Sequence, residues 1–354
     1  MAPWTRKLYD RAEPLLGLPP ADFTRYAWPW LVPGAPTWLE LRWRRDLARA
    51  GAVTGDAHAS AVGLDEIEEV IACGLCGEET MRPLLSPRDP AGRWSYHVVA
   101  CPSCGLLYRH PGIRADRLGD LYAVGYSSFL SGEYEAKRRR RYELVMDSFA
   151  PLFTQGDGRR LLDFGCGNGL FLRTAHERGF DPYGVDLSPD SIEQARTHPS
   201  GRNTWCGAPP EIPEIAAGGF DVITMWSVLA HLPDPVADLS MLRDLLAPDG
   251  VLLLLTVNAE SLLLKAHRDR WNGFTRNHLK FFSPRTVRQL FDRVGFGAAV
   301  THPHHIDEVE SGEQHLAPLL ERRLRRAIAA GNRGNMQRAL AFVDPDGPAR
   351  SGLS

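Results

Sequence analysis

The chain has 354 residues, 44% of them hydrophobic, enough for one full α/β core and smaller accessory units. Its 41 Lys plus Arg against 43 Asp plus Glu leave a formal net charge of -2, which disfavours a polyanion such as nucleic acid as partner. No run reaches the roughly eighteen apolar residues of a membrane span, and charges at Arg6, Lys7, Asp10, Arg11 and Glu13 break any leader-like stretch, so a cytoplasmic location is expected.

Residues 1–66 read as a helical, Trp-rich region containing Trp4, Trp28, Trp30 and Trp38, with a helix start at Thr37 that Glu40 would complete as a capping box. The indoles either cover an edge of the main domain or face a substrate or a partner. Residues 67–112 hold two CxxC pairs, Cys73 with Cys76 and Cys101 with Cys104, bracketing an aromatic and β-branched run at 94–100 that predicts a strand. In a reducing compartment such pairs point to metal before disulfide. Four thiolates are the complement of a closed structural Zn2+ site, with no coordination position left to activate water. Residues 113–157 read as a helical lid or linker. Its basic run at 137–141 is either a solvated helix face or a grip on a phosphorylated or carrier-bound substrate.

From 158 to 300, short apolar segments alternate with helical ones, the pattern of a mostly parallel sheet with helices on both faces. Strands are expected near 160–164, 182–186, 203–206, 221–225, 251–256 and 298–301. Within 301–354, Leu316, Leu320, Leu324 and Ile328 mark an amphipathic helix, followed by a loose tail from 344.

The first of these strands runs into Gly165-Cys166-Gly167-Asn168-Gly169, and Leu170 then opens a helix. Alternating glycines permit positive φ and let a ligand lie against bare backbone, while the helix start offers unpaired N–H groups. The dinucleotide fingerprint fails here, because its sixth position is Leu170 or Leu172 rather than glycine. Asp186, at the end of the second strand, can accept both hydroxyls of an unphosphorylated ribose.

Together with residues 220–223, 227–235 and 246–251, Asp163 and the glycine loop resemble the class I S-adenosylmethionine-dependent methyltransferases over roughly 158–300. The resemblance implies a Rossmann-like α/β fold and S-adenosylmethionine as cofactor. It implies that Asp163, Gly165, Cys166, Gly167, Asn168 and Gly169 hold the methionine portion, and that Asp186, with Leu187 beside it, holds the ribose. Gly207 and Ala208 would lie by the adenine, with Met225 and Trp226 lining the pocket. Relatives often place an acidic residue just after the third strand to meet the adenine, where this chain has Cys206-Gly207-Ala208-Pro209. The ribbon ahead of the domain is similar to the zinc-binding unit of a bacterial group that includes sugar C-methyltransferases. That likeness extends to the pairing of ribbon and transferase, not to the sugar.

Methyl transfer from a sulfonium is an in-line displacement, so alignment does much of the work, and a base is needed where the acceptor must lose a proton. By the resemblance, His231 and His278 are the candidate bases, and Tyr122 and Tyr126 the candidate substrate contacts. The plainer alternatives are that His231 packs its local turn, that His278 makes a structural bond to backbone, and that the tyrosines only pack. The leading expectation is O-methylation of a small molecule, with C or N transfer open, in specialised biosynthesis. A ribbon-guided rRNA or tRNA methyltransferase and a non-catalytic S-adenosylmethionine-binding module that docks a protein partner stand as rivals. Oligomeric state is not legible in the sequence.

Overall fold

The computed structural model describes residues 35–63, 65–89, 91–121, 133–304 and 334–344. In chain order, helix α1 (Ala35–Arg49) leads to strand β1 (Val53–Thr54) and helix α2 (Gly55–Val62). Short strands follow: β2 (Glu68–Glu69), β3 (Thr80–Leu85), β4 (Val98–Ala100), β5 (Leu107–Arg109) and β6 (Gly112–Ile113). Helix α3 (Glu133–Ser148) then brings the chain to the main sheet. There β7 (Arg160–Phe164), α4 (Leu170–Glu177), β8 (Asp181–Asp186), β9 (Thr204–Cys206), β10 (Phe220–Trp226) and β11 (Leu246–Val257) alternate with helices. Strands β12 (Lys280–Phe281), β13 (Ala298–His304) and β14 (Met336–Phe342) complete the described elements.

The large sheet has the order β13-β14-β11-β10-β7-β8-β9. Its strands from β9 to β11 are parallel, and β14 is antiparallel to both β11 and β13. The run Leu252 to Leu255 is buried on both faces, as a central parallel strand requires. Strand order reverses between β7 and β10, which opens a crevice beyond their carboxyl ends, the usual ligand position in such sheets. All six expected strands are present in this sheet. Strand β14 departs from the expectation: residues 336–342 fall in the segment read as helix and tail, yet they pair along the whole carboxyl half of β11. Alternation in that stretch is weak because Ala339 to Phe342 are buried consecutively. The expected amphipathic helix around Leu316 to Ile328 lies outside the described residues.

The ribbon forms a second sheet, β1-β3-β4-β5-β12, so it borrows its last strand from the segment after β11. The strand expected at 94–100 is present only as Val98–Ala100. Tyr96 N–H bonds Pro87 O at 3.1 Å and Ser95 forms an isolated antiparallel bridge with Arg88, so 94–97 continue the pairing with the segment after β3 only in an irregular way. Thr37 lies inside α1 rather than capping it, and Glu40 instead pairs with Arg44 and the buried Lys265. Helix α1 packs through Trp43, with the Arg268 guanidinium 5.3 Å from the centre of its ring. Among the described residues no helix is long and apolar enough to cross a membrane.

Candidate functional site

Strand β7 ends at the crevice, and the chain turns there through three glycines of positive φ: Gly165 at 78°, Gly167 at 52° and Gly169 at 75°. At Gly165 a Cβ would stand 2.4 Å from Val228 Cγ2, so the turn is shut against the segment that follows β10. At Gly167 a Cβ would meet nothing within 4 Å, so its backbone faces open space. Asp186 holds this bend from the neighbouring strand. One carboxylate oxygen accepts Gly167 N–H at 2.9 Å and the other accepts Ser188 N–H at 2.9 Å. Burial pushes the Asp186 carboxyl up, and these backbone N–H groups pull it back. Each oxygen keeps a lone pair for a further donor.

Gly207 N–H reaches Asp186 O at 3.1 Å, which joins the end of β9 to the same corner. Leu187 is 62% exposed there, an apolar side chain presented to the crevice rim. Ala208 opens a turn over Pro209–Glu211, and that turn carries the Glu211 carboxylate to within 3.6 Å of where a Gly207 Cβ would stand. The acid absent from the residues directly after the third strand thus returns a few positions later. Spacing alone could not reveal it, because the turn brings it back.

Asp163, on β7, is buried and accepts Thr224 Oγ1–H at 2.7 Å from its register partner on β10. Desolvation raises its carboxyl to about 7, against the pull of Thr224. Arg138, from the basic run on α3, is close enough to oppose the rise as well. Tyr142, one turn on, lies with its ring centre 4.7 Å from that of Trp226, which also meets Phe171 at 4.7 Å. Trp226 Nε1 is buried and lacks a hydrogen-bond partner among the described residues. Just beyond it, Ser227 takes φ of 62°, a strained conformation for a non-glycine residue at a strand end. Thr224 and Tyr142 are neighbours of this corner that the sequence does not single out, although a threonine inside the apolar run of β10 is a signal. Arg138 and Ser227 lie within segments already singled out, the basic run at 137–141 and residues 227–235.

Two expected cofactor residues point elsewhere. Cys166 packs with Leu172 and Ile192 beneath the loop, so only its backbone can face a ligand. Met225 is fully buried in the core on the opposite face of β10 from Trp226. Asn168 bends back so that its side-chain oxygen accepts Leu170 N–H at 3.4 Å.

His231 and His278 come together as an edge-to-face pair with ring centroids 4.7 Å apart. His278 Nδ1 lies 2.7 Å from Gly273 O, and a carbonyl can only accept, so Nδ1 carries the proton and Nε2 the lone pair. The structural bond that is the plainer alternative for His278 is therefore present, and it selects the tautomer. Burial holds His231 down at about 3, aided by the charge His278 would carry, and His278 down at about 4. Both rings are neutral at physiological pH. Leu279 N–H bonds Ala230 O at 2.7 Å, locking the two histidine segments together. Tyr122 and Tyr126 lie outside the described residues, as do Trp4, Trp28 and Trp30.

The four cysteines of the ribbon converge, with all Sγ atoms within 4.8 Å of one another. Cys73 and Cys104 stand 3.6 Å apart and Cys76 and Cys101 3.5 Å apart. A tetrahedral zinc with Zn–S bonds of about 2.3 Å sets its sulfurs roughly 3.8 Å apart, so the donor set fits this ion. A disulfide would need about 2.05 Å. The Cys73 thiol is pulled down to about 5, chiefly by Cys104, and the Cys104 thiol is pushed up in return. Four thiols this close cannot all ionise without a cation between them.

Residues 134–299 match the family model described as a methyltransferase domain. That span takes in the glycine bend, both histidines and the sheet from β7 to β11. It bears out the sequence resemblance over this part of the chain. Among curated proteins, the chain is 31% identical over 157 residues to the ubiquinone biosynthesis O-methyltransferase of Psychrobacter arcticus, covering 39% of this chain and 59% of that protein. It is 39% identical over 170 residues to the protein of the same name from Cereibacter sphaeroides, covering 43% of this chain and 65% of that protein. The chain thus spans less than two thirds of the length of these relatives. A solved structure, a SAM dependent methyltransferase from Archaeoglobus fulgidus, aligns at 20% identity and a TM-score of 0.45, over 62% of this chain and 100% of that one.

Proposed function

We propose that the protein is an S-adenosylmethionine-dependent methyltransferase that methylates an oxygen of a small-molecule acceptor in a biosynthetic reaction. The observation that carries this reading is the corner where Asp186 grips Gly167 N–H at 2.9 Å while keeping lone pairs free for a ribose. Around it lie open backbone at Gly167, an exposed Leu187 for the adenine face and the Glu211 carboxylate for its amino edge. A carboxylate at that point suits an unphosphorylated ribose and repels a 2′-phosphate, while Leu170 and Leu172 at the sixth position of the loop disfavour a pyrophosphate. Two curated relatives named as O-methyltransferases support oxygen as the acceptor atom.

S-adenosylmethionine, when bound, supplies a methyl group on a sulfonium. The chain aligns the acceptor, excludes water and takes the acceptor's proton. Trp226, Tyr142 and Phe171 form an apolar wall by the bend, which keeps water from the sulfonium side. The lone pair on His278 Nε2 is oriented by the Nδ1 bond to Gly273 O and receives the hydroxyl proton, with His231 packed edge-on to hold the ring. Because both imidazoles stay neutral, the acceptor nitrogen is available without prior deprotonation.

Calorimetry with S-adenosylhomocysteine, followed by transfer of labelled methyl to a panel of phenols and sugar alcohols, tests the reading. One-to-one binding and label on oxygen are expected. Heat with NAD but none with S-adenosylhomocysteine would overturn it.

A further inference from the structure

A closed zinc centre of four thiolates carries an excess of negative charge, and such centres are tuned by the hydrogen bonds and cations around their ligands. Here Cys73 accepts backbone N–H from Leu75 and Cys76, and Cys104 N–H lies 3.4 Å from Cys101 Sγ. One cation is buried against the same knuckle. Lys280, on β12, is 2% exposed, and a Cβ on Gly74 would stand 2.7 Å from its Cε. Its charge is felt by, and feels, Cys73, Asp234 and Asp238.

The other lysine buried among the described residues, Lys265, is closed by an ion pair with Glu40. Lys280 has no such pair among the described residues. Its Nζ donates to two backbone carbonyls, Leu232 O at 3.1 Å and Pro233 O at 2.6 Å. Those carbonyls directly follow His231. On its other side Lys280 is two residues from His278, on a strand that pairs antiparallel with ribbon strand β5, Lys280 opposite Tyr108. Arg109 N–H on Leu279 O at 2.8 Å and Tyr96 Oη–H on Thr275 O at 3.1 Å pin the same segment to the ribbon.

We propose that Lys280 is the outer cation of the four-cysteine metal centre and that it positions the His231–His278 pair, so that the metal's occupancy sets the geometry of the two rings. Beside an unloaded knuckle the buried ammonium has the Asp234 and Asp238 carboxylates as its fixed counter-charges. Filling the site with zinc adds four thiolates on the Cys73 side and holds Lys280 against Leu232 and Pro233. The inference rests on the zinc reading of the cysteines and on the histidine pair belonging to the methyltransferase site, but its test needs no acceptor.

Zinc competition against a chromophoric chelator, using Zn2+ as the probe, should show Lys280→Met weakening zinc about 10- to 100-fold, the usual effect of losing a group that supports a metal ligand. Lys280→Arg should restore affinity to within about threefold, because it returns the charge. S-adenosylhomocysteine binding should stay close to the unaltered protein's in both, so that loss of the cofactor site is read separately from loss of the metal site. In the unaltered protein, stripping zinc should move the NMR signals of Lys280 Nζ and of the His231 and His278 rings, a measurement that requires no variant to fold. Undiminished zinc affinity in Lys280→Met, or ring and Nζ signals that ignore zinc removal, would overturn the proposal. An unaltered protein that takes up no zinc would overturn it together with the metal reading.

Discussion

The two sheets of this protein reach order by different routes. In the seven-stranded sheet, β10 and β11 are buried nearly end to end, and the large fully buried side chains Phe171, Phe220 and Phe291 back the strands on both faces. Burial on this scale, at roughly 25 cal/mol per Å² of apolar surface, orders such a sheet without outside help. In the ribbon sheet, β4 and β5 are three residues each and β12 only two. Strands so short cannot bury enough apolar area to hold their own register. The ribbon instead converges four sulfurs and leans on the segment after β11, while Arg109 closes a buried ion pair with Glu68 at 2.6 Å. The apolar sheet thus carries the Gly167–Asp186 corner, whereas the sheet beside the cysteine cluster carries one side of the histidine pair.

Breaking the ribbon should therefore cost the most. Cys101→Ser should lower stability by on the order of 4 kcal/mol or more, the range associated with losing a metal. In thermal unfolding it should also uncouple an early transition of residues 53–113 from the later melting of the main sheet. A single transition at the original temperature would show that the ribbon owes nothing to its cysteines.

Breaking the cofactor corner is the milder change. Asp186→Ala removes a charge-assisted acceptor and should weaken S-adenosylhomocysteine by roughly tenfold to a hundredfold in calorimetry, with the melting of the ribbon unmoved. Equal affinity in the variant would remove Asp186 from the site.

The histidines sharpen the comparison through pH. Both are depressed, to about 3 and about 4, whereas the unfolded chain titrates near 6.5. As pH falls below 6.5 the unfolded chain gains protons that these rings do not, so their effect is to lower stability progressively, down to about pH 4 for His278 and about pH 3 for His231, and it vanishes above 6.5. For the same reason kcat/KM should show no acid limb near 6.5. A limb at that pH would mean that the rings are solvated in the working enzyme.

The smallest effect is expected at the surface of α3. Arg139 pairs with Glu143 and Glu177 but is 42% exposed, so Arg139→Ala should change stability by no more than about 0.5 kcal/mol. Arg138, its neighbour, lies 6.0 Å from the Tyr142 ring centre and its charge reaches Asp163, so Arg138→Ala should instead be read in cofactor affinity.

Much of the main sheet was legible because its central strands carry apolar runs and its turn needs glycine. What escaped was decided by proximity. Residues 336–342 show no strand signature of their own, and become a strand only because β11 offers an open edge on one side and β13 on the other. Glu211 and Arg138 come to the crevice on a turn and a helix whose facing direction no periodicity states. Residues 94–97 carry strand-forming side chains, but beyond the register shift at Pro83–Leu85 they pair with 87–89 only through an isolated bridge and single hydrogen bonds.

The order of apolar strands, the glycine bend, Asp186 at the next strand's tip and the two cysteine pairs were determined by the sequence alone. Each depends on residue types whose physics is local: burial, positive φ, a carboxylate and thiolates at close spacing. The meeting of His231 with His278, and the joining of both to the four-cysteine ribbon through β12 and Lys280, was decided by tertiary structure. Those contacts bridge segments far apart in the chain, and only the closing of two sheets on one another brings a buried ammonium, a histidine pair and a sulfur cluster within reach.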